Sequence, residues 1–404
     1  MAVKLSEPEK LLPIKGIRVA SLAAGIKKSG SDDLVLFEIA DGSQTSAMFT
    51  RNVFCAAPVL LSRKHLQLSS PKYLLINAGN ANAGTGQNGM EAAESCCKLV
   101  ADETAAKATA VLPFSTGVIG QNLPVEKFAA AIPDLVKQLH EDSWLKAGRG
   151  IMTTDTLLKG ISRQIELDGK TITITGIAKG SGMIHPDMAT MLGFVATDAG
   201  VSKELLDSCL QESVQKSFNS ITVDGDTSTN DSCVLMATGQ SGVMFINDTD
   251  KNFEVFKEAL NDVFIYLAQA IIRDGEGATK FISLNIINAT SEEEARKVAY
   301  TIAHSPLVKT ALFASDPNWG RILAAVGRSG ISLDIDKIEI YLDDVCIVRE
   351  GGRADSYTEE QGQAVMSRDE ITITVDLKQG QKSAVVWTCD FSYDYVKINA
   401  EYRS

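Results

Sequence analysis

The junction between Ala189 and Thr190 has the residue types that a self-cleaving threonine needs. It follows a glycine-rich stretch with one lysine, residues 176–183, and it opens an apolar run that is typical of a strand. The Thr190 hydroxyl could attack the preceding carbonyl carbon, shift the acyl group from nitrogen to oxygen, and leave an ester for water to hydrolyse. A threonine hydroxyl is a weak nucleophile that needs a base. Because a free α-amino group has a pKa of about 7.7 to 8.0, cleavage would supply that base on the same residue. On local pattern alone, a plain turn is the commoner explanation of such a pair.

A second candidate is the string GTGQNG at residues 84–89, which matches the dinucleotide-binding pattern GxGxxG ahead of a predicted helix. In that motif the glycines follow the strand directly, yet residues 77–83 intervene here. Asp102 and Glu103 also fall inside the predicted helix instead of at the end of a second strand. The sequence therefore favours a tight-turn scaffold around another site, and a regulatory protein that binds NAD or ATP stays as a lesser alternative.

Composition excludes several classes of partner. A formal net charge of -12 argues against nucleic acid and against anionic membrane surfaces. The N-terminal residues lack the apolar core and the cleavage site of a secretory signal, and no later stretch approaches about 18 uninterrupted apolar residues. We expect a cytoplasmic protein.

Cysteine and histidine usage points away from metal and hydrolase chemistry. The seven cysteines form no CxxC pair and have no histidine at metal-ligand spacing, which favours reduced, mostly buried thiols over zinc or disulfides. None of the four histidines lies in a GxSxG or HExxH context. Only His185 is near the proposed junction, and an isolated loop histidine is usually structural or solvated.

Hydrophobic periodicity predicts an α/β chain without a low-complexity linker. The predicted strands cover residues 34–39, 73–76, 111–114, 171–177 and 233–238, and the predicted helices cover 90–106, 125–140 and 202–218. The apolar stripe from Phe253 to Ile271 predicts a long core helix. After residue 280, strands at 282–287, 337–342, 345–348, 371–375 and 384–391 with a helix at 291–304 predict a smaller sheet-and-helix domain. The string DPNWGR at 316–321 is interpreted as the cap of a helix that starts at Arg321.

Short strings spread in order from residue 77 to the last residue form a specific combination. They are NAGNANA (77–83), STGVIG (115–120), MTTDT (152–156), KGSGMI (179–184), ATML (189–192), RDGEG (273–277) and the final residues 399–404. Together they resemble the ornithine acetyltransferase family, the acetyl-recycling enzymes of arginine biosynthesis. The resemblance covers most of the chain.

The resemblance implies a role for each matching residue. Thr190 corresponds to the nucleophile, Ala189 to the residue before the cut, and Thr116 with Gly117 to the pair that stabilises the oxyanion. The implied substrate contacts are Thr153, Lys179, Thr190, Glu276, Asn399 and Ser404, the last standing where several relatives end in threonine. A cation for a carboxylate and an anion for an ammonium suit two amino-acid substrates.

On local grounds alone, the same residues have plainer interpretations. Lys179 would be a solvated loop charge, Glu276 a helix-end carboxylate near Arg273 and Lys280, and residues 115–117 a turn after the strand at 111–114.

The resemblance also implies an α/β fold, a layered α/β sandwich of the kind shared with N-terminal-nucleophile aminopeptidases. Cleavage would give an N-terminal chain of residues 1–189 and a C-terminal chain of residues 190–404. Residues 190–280 would complete the catalytic domain, and residues 281–404 would form the smaller α+β domain. The two chains would stay together as a heterotetramer of two α and two β chains.

The implied reaction is a ping-pong transfer of acetyl from N2-acetylornithine to glutamate. It uses no metal and no cofactor, with acetyl-CoA as a second acetyl donor in part of the family. An aminopeptidase or amidase of the same fold, using the same cleaved nucleophile, is the main alternative.

Overall fold

Strands and helices alternate along the chain in the computed structural model, which describes residues 2–185 and 191–401. The N-terminal part contains β1 (Ile17–Leu22), β2 (Leu34–Ile39), β3 (Gln44–Phe49), α1 (Ala57–Leu68), β4 (Tyr73–Asn80), α2 (Gly86–Thr104), β5 (Val111–Val118), α3 (Val125–Lys137), α4 (Trp144–Gly150), β6 (Lys159–Leu167) and β7 (Lys170–Lys179). The middle part continues with β8 (Leu192–Thr197), β9 (Gly200–Val201), α5 (Lys203–Lys216), β10 (Ser232–Ala237), β11 (Met244–Phe245) and α6 (Lys251–Arg273).

The C-terminal part begins with β12 (Phe281–Ala289). It continues with α7 (Glu292–Ala303), α8 (Pro306–Phe313), α9 (Trp319–Gly327), β13 (Glu339–Leu342), β14 (Val345–Arg349), β15 (Gly352–Arg353), α10 (Glu359–Met366), β16 (Glu370–Asp376), β17 (Lys382–Cys389) and α11 (Tyr393–Ala400). The predicted strands and helices are present, mostly within a few residues of their predicted bounds.

Two sheets pack face to face in the first two-thirds of the molecule. One has the order β1-β2-β4-β5 and the other the order β3-β10-β8-β7-β6. Their inner faces share one apolar core, in which the Phe194 ring lies 5.5 Å from that of Phe37 and 5.2 Å from that of Phe114. Helices α2 and α3 cover the outer face of the first sheet, and α5 and α6 cover the outer face of the second. This four-layer arrangement is the predicted α/β sandwich, and the predicted core stripe of α6 is buried in it.

The C-terminal part forms its own sheet of order β15-β14-β13-β16-β12-β17, with a separate apolar core beneath helices α7 to α10. The Asn318 side chain caps α9 by accepting a hydrogen bond from the Arg321 N–H at 3.1 Å. The capping prediction is therefore confirmed, although the helix begins at Trp319. The division of the chain at residues 189 and 280 stays a prediction.

The structure corrects the prediction for residues 115–117. They are not a turn, because β5 continues through them to Val118 and stays paired in parallel with β4. A Cβ atom on Gly117 would lie 2.3 Å from the carbonyl carbon of Gly79, and Gly117 has a φ of 130°. Only glycine allows the two strand ends to approach this closely.

Three further observations concern the classes of site weighed above. All seven cysteines are free thiols, and five of them are buried. Within residues 2–185 and 191–401, no group of three or more His, Cys, Asp or Glu side chains is arranged to hold a metal ion. None of the helices in the described ranges combines the length and the apolarity needed to cross a bilayer.

Candidate active site

A cavity of about 290 Å³ opens where β5 and β7 end and β8 and β10 begin. It is lined by every predicted site residue within the described ranges, namely Thr116, Gly117, Thr153, Lys179, Glu276 and Asn399. Ala189, Thr190 and Ser404 lie outside the described residues. Met191, which follows Thr190 in the chain, also lines the cavity. Six residues from five distant strings of the sequence thus meet at one site.

Lys179 is the last residue of β7, and its side chain lies in the cavity wall. Its ammonium donates hydrogen bonds to the hydroxyl oxygens of Thr153, at 2.7 Å, and Thr116, at 3.2 Å. The residue is only 8% exposed. The local interpretation of a solvated loop charge is therefore wrong, because the strand carries Lys179 into the interior.

A buried carboxylate supports this lysine. Asp155 Oδ2 lies 3.9 Å from Lys179 Nζ, and the Asp155 side chain is fully enclosed. Burial lowers the pKa of Lys179 from its ordinary value, and the negative charge of Asp155 opposes that shift. Burial would raise the pKa of Asp155, but the charges of Lys159 and Lys179 and a hydrogen bond from the Gly180 N–H hold it well below its usual range. Asp155 therefore lies where its charge balances that of Lys179 at the cavity wall.

Glu276 supplies a negative charge to the site, as does Asp231. Its carboxylate accepts a hydrogen bond from Asn399 Nδ2 at 2.8 Å, which ties α11 to the chain after α6. Its N–H donates to the carbonyl oxygen of Ser181 at 2.8 Å. A Cβ atom on Gly182 would lie 2.3 to 2.6 Å from the Glu276 carboxyl group, so a larger residue there would displace that carboxyl group.

The local interpretation of Glu276 is wrong as well. Arg273 pairs instead with Glu370 at 2.8 Å, and the Lys280 ammonium donates to the carbonyl oxygens of Met366 and Arg368. Since α6 ends at Arg273, the residues that follow turn Glu276 away from both cations and into the cavity.

Thr116 and Gly117 are held by an asparagine that the sequence analysis missed. Asn230 Nδ2 donates to the carbonyl oxygens of Ala81, at 2.5 Å, and Ser115, at 3.0 Å, so it fastens the end of β5 to the start of β10. The Thr116 hydroxyl accepts from Lys179 and keeps its own proton available to donate. A polar run, residues 228–231, precedes β10 and is the one local signal that could have indicated this wall of the site.

The chain just before the predicted cleavage junction is anchored by a neighbouring loop. The Asp224 carboxylate accepts from the N–H groups of Met183, at 2.6 Å, and Ile184, at 2.9 Å. The Thr222 hydroxyl donates to the Ile184 carbonyl oxygen at 2.7 Å, and that of Thr227 donates to the His185 carbonyl oxygen at 3.0 Å. The backbone is thus fixed on both sides up to residue 185.

Two of the other candidates lie elsewhere in the structure. The His185 ring packs against the rings of Tyr300 and His304, with centroids 5.0 and 4.4 Å away, and it is not among the cavity-lining residues. The GTGQNG string is held by Asn82, which precedes it. The Asn82 amide donates to the Gly89 carbonyl oxygen at 2.8 Å and accepts from the Thr85 hydroxyl at 2.8 Å. These contacts agree with the tight-turn interpretation.

The fold and the cavity together define an α/β protein with a partly open cavity that presents charged and polar groups. The Lys179 ammonium, the carboxylates of Glu276 and Asp231 and several hydroxyls line the same space. Groups of these kinds can recognise the charged ends of an amino acid.

Comparison with known proteins identifies the family. The ArgJ family profile matches residues 18–404. The chain is 56% identical, over 98% of its length and 97% of the relative's, to the "Arginine biosynthesis bifunctional protein ArgJ" of Methylococcus capsulatus. It is 53% identical to the protein of that name from Pseudomonas syringae pv. tomato, over the whole of both chains. A crystal structure of the Bacillus halodurans protein is 40% identical with a TM-score of 0.51, and the match covers 53% of this chain and 100% of that chain. The chain belongs to the ArgJ family.

Proposed function

We propose that this protein transfers the acetyl group of N2-acetyl-L-ornithine to L-glutamate through an acetyl ester on Thr190. As a member of the ArgJ family, the chain is an acetyltransferase of arginine biosynthesis. The donor, the acceptor and the residue roles are the proposal. One observation carries it: the predicted substrate and oxyanion residues of the described ranges line a single cavity, together with Met191, the neighbour of Thr190.

In the first half of the reaction, the free amine of Thr190 takes the proton of its own hydroxyl. The hydroxyl oxygen attacks the acetyl carbonyl carbon, and the Thr116 hydroxyl and the Gly117 N–H stabilise the negative oxygen. The bond from the acetyl carbon to the ornithine nitrogen then breaks. The leaving nitrogen takes the proton from the Thr190 amine, so ornithine departs and the threonine is acetylated.

In the second half, the amine of glutamate attacks the ester carbonyl carbon. The same two donors hold the oxyanion, and the Thr190 amine takes a proton from the attacking nitrogen. The bond to the threonine oxygen then breaks, and that oxygen receives the proton from the Thr190 amine. Both substrates carry an α-carboxylate and an amino-acid backbone. Lys179 and Glu276 supply the charges that bind these groups, and Thr153, Asn399 and Ser404 complete the proposed contacts.

Self-cleavage between Ala189 and Thr190 is part of the proposal, because it frees the amine. The anchored backbone before the junction supports it. Chain length supports it too, since residues 190–404 make up 215 of 404 residues, a share equal in size to the 53% of this chain that the chain of the Bacillus halodurans structure covers.

The remaining features of the proposal concern assembly and donors. The two fragments would assemble as two α and two β chains and act in the cytoplasm. The reaction would need no metal or cofactor, with acetyl-CoA as a second acetyl donor.

The test is to incubate purified protein with acetylornithine alone and to weigh the fragment that starts at Thr190. We expect the added mass of one acetyl group, and we expect Thr190→Ala to give neither the cut nor the label. Thr116→Ala should be cut but should lose about a hundredfold or more in kcat.

An unlabelled wild-type fragment under turnover conditions would reject the mechanism. Release of free amino acid from peptides without acetyl exchange would support the aminopeptidase alternative, which family membership does not favour.

A further inference from the structure

Four charged side chains lie together beneath the wall of the cavity. Lys159 Nζ is 2.6 Å from Asp155 Oδ1 and 2.6 Å from Asp274 Oδ2, and Lys179 Nζ is 3.9 Å from Asp155 Oδ2. Lys159, Asp155 and Asp274 are at most 1% exposed at their side chains. Two positive and two negative charges balance in a region that water scarcely reaches, and Asp155 lies between the two lysines.

Asp155 contacts three parts of the site at once. Its Oδ2 accepts from the Thr153 N–H at 3.0 Å, and its Oδ1 accepts from the Gly180 N–H at 2.7 Å. Those N–H groups belong to a proposed substrate-binding residue and to the residue after Lys179. One carboxylate therefore fixes the loop that carries Thr153, the end of β7 and the Lys179 ammonium.

Asp274 has a different set of contacts. Its carboxylate accepts from the N–H groups of Thr156, at 2.9 Å, and Leu157, at 3.3 Å, and from the Thr156 hydroxyl. It shares Lys159 with Asp155, but among the described residues its hydrogen bonds and ion pairs do not include Lys179, Thr153 or Gly180. The side chains of the two aspartates are similarly buried, and Asp155 is the one that contacts Lys179 and Thr153.

We propose that Asp155 is a positioning residue, which holds the Lys179 ammonium between the hydroxyls of Thr116 and Thr153 so that it meets the substrate carboxylate. This inference rests on the proposed function. Asp155 does not itself line the cavity, so it acts through Lys179 and Thr153.

The charges around Lys179 explain why the lysine needs this partner. Burial and the positive charge of Lys159 both favour the neutral amine, and the carboxylates favour the ammonium. The charged groups that act on Lys179 are Asp155, Lys159, Asp231, Glu276 and Lys27. Among the carboxylates, Asp155 has the largest effect.

The experiment compares Asp155→Asn with Asp274→Asn in the full-length, self-processing protein. Each variant removes one buried negative charge from Lys159 and keeps the size of the side chain. KM and kcat for acetylornithine and glutamate are measured from about pH 6.5 to 9, with thermal unfolding recorded alongside. The wild type and both variants are also weighed for the acetyl label at saturating donor.

For Asp155→Asn we expect KM to rise steeply toward alkaline pH, by about tenfold per pH unit once Lys179 has lost its proton, with a smaller change in kcat. Asp274→Asn should keep the wild-type pH profile of KM at a comparable loss of stability. The proposal is overturned if the two variants share one profile, or if Asp155→Asn keeps the wild-type KM throughout.

If Asp155→Asn does not accumulate as a folded protein, the double variant Asp155→Asn/Lys159→Met removes one buried charge of each sign and is measured in the same way. We expect it to retain an alkaline rise in KM, and a wild-type profile overturns the proposal. The acetyl label on the wild-type protein distinguishes a failure of the proposed role of Asp155 from a failure of the proposed function. A labelled wild type with unaffected variants rejects only the role of Asp155, whereas an unlabelled wild type rejects the function itself.

Discussion

Two buried lysines in different regions of the molecule differ in what surrounds their ammonium groups. Lys309, on α8 of the C-terminal part, donates to the Thr388 hydroxyl at 3.0 Å and to the Cys389 carbonyl oxygen, and its ammonium lies 4.6 Å from the centre of the Phe391 ring. Lys179 instead donates to two hydroxyls in a cavity wall. Burial lowers the pKa of both ammonium groups.

The difference lies in what each ammonium can still bind. Lys309 is 1% exposed and is enclosed by strand β17 and an aromatic ring, so its contacts join α8 to the sheet. Lys179 lies at a space large enough for a small molecule, and its hydroxyl partners can turn toward a ligand. We infer that Lys309 stabilises the fold and that Lys179 contributes to ligand binding in the cavity.

The largest expected effect follows from exchanging each lysine for methionine. Lys179→Met should lower kcat/KM by about a hundredfold or more, because a charged contact to the substrate is lost. The free energy of unfolding should change little, because the Asp155 carboxylate still pairs with Lys159 and still accepts hydrogen bonds from two backbone N–H groups. Steady-state kinetics and chemical denaturation measure the two effects.

Lys309→Met is the matched control. It leaves two buried acceptors without their donor and should cost about 1 to 3 kcal/mol of unfolding free energy, with kcat/KM of the folded protein within about threefold of wild type. The comparison fails if the two variants exchange these outcomes.

The next effect concerns two glycines. Gly182→Ala should lower kcat/KM by about tenfold to a hundredfold, because the added methyl group must displace the Glu276 carboxylate by on the order of 1 Å. Gly327→Ala, at the end of α9, meets no atom within 4 Å and should leave the kinetics unchanged while raising the unfolding free energy by up to about 1 kcal/mol. Kinetics and melting curves of both variants decide this. Wild-type kinetics for Gly182→Ala would contradict the proposed role of Glu276 in the site.

Two asparagines give a smaller contrast. Asn399→Ala removes the 2.8 Å hydrogen bond to Glu276 and should raise the KM for acetylornithine by about tenfold with little change in stability. Asn318→Ala removes a helix cap and should cost about 1 kcal/mol of stability with an unchanged KM. Substrate saturation curves test the first variant and urea midpoints test the second. An unchanged KM for Asn399→Ala would contradict the proposed contact.

The last effect depends on pH and concerns stability alone. Burial, with the charge of His185, lowers the pKa of His304 to about 3, from an ordinary value of 6.5. The unfolded chain therefore binds a proton that the folded chain excludes between about pH 6.5 and 3, so stability falls as pH drops through that window. The slope from this residue is at most about 1.4 kcal/mol per pH unit. In His304→Gln, the free energy of unfolding should fall less steeply as the pH drops from about 6.5 to 3. An unchanged pH dependence would contradict the lowered pKa of His304.

Local patterns were enough to predict most strands and helices. The core stripe of α6 and the cap at Asn318 depend on residues within a few positions of each other, and both are present as predicted. Asp155 and Asn230 were missed because the contacts that indicate their roles join separate segments of the chain, such as the hydrogen bond from the Gly180 N–H to Asp155. Asp155 belongs to a network in which Lys159 and Asp274 are 115 positions apart, and Asn230 and Ser115 are separated by the same number.

The residue types permit the proposed chemistry, since a threonine that follows a small residue can become its own base, and a lysine and a glutamate can bind a zwitterion. The combination of strings that resembles the acetyltransferase family is what favoured this chemistry over a plain turn and solvated charges. Whether those charges face solvent or a cavity is decided by how the two sheets pack. The plainer local interpretations of Lys179 and Glu276 failed for that reason. Burial and the distances between charges determine where the Lys179 and Glu276 side chains lie and which protonation state Lys179 favours. Both depend on contacts between segments that are far apart in the chain.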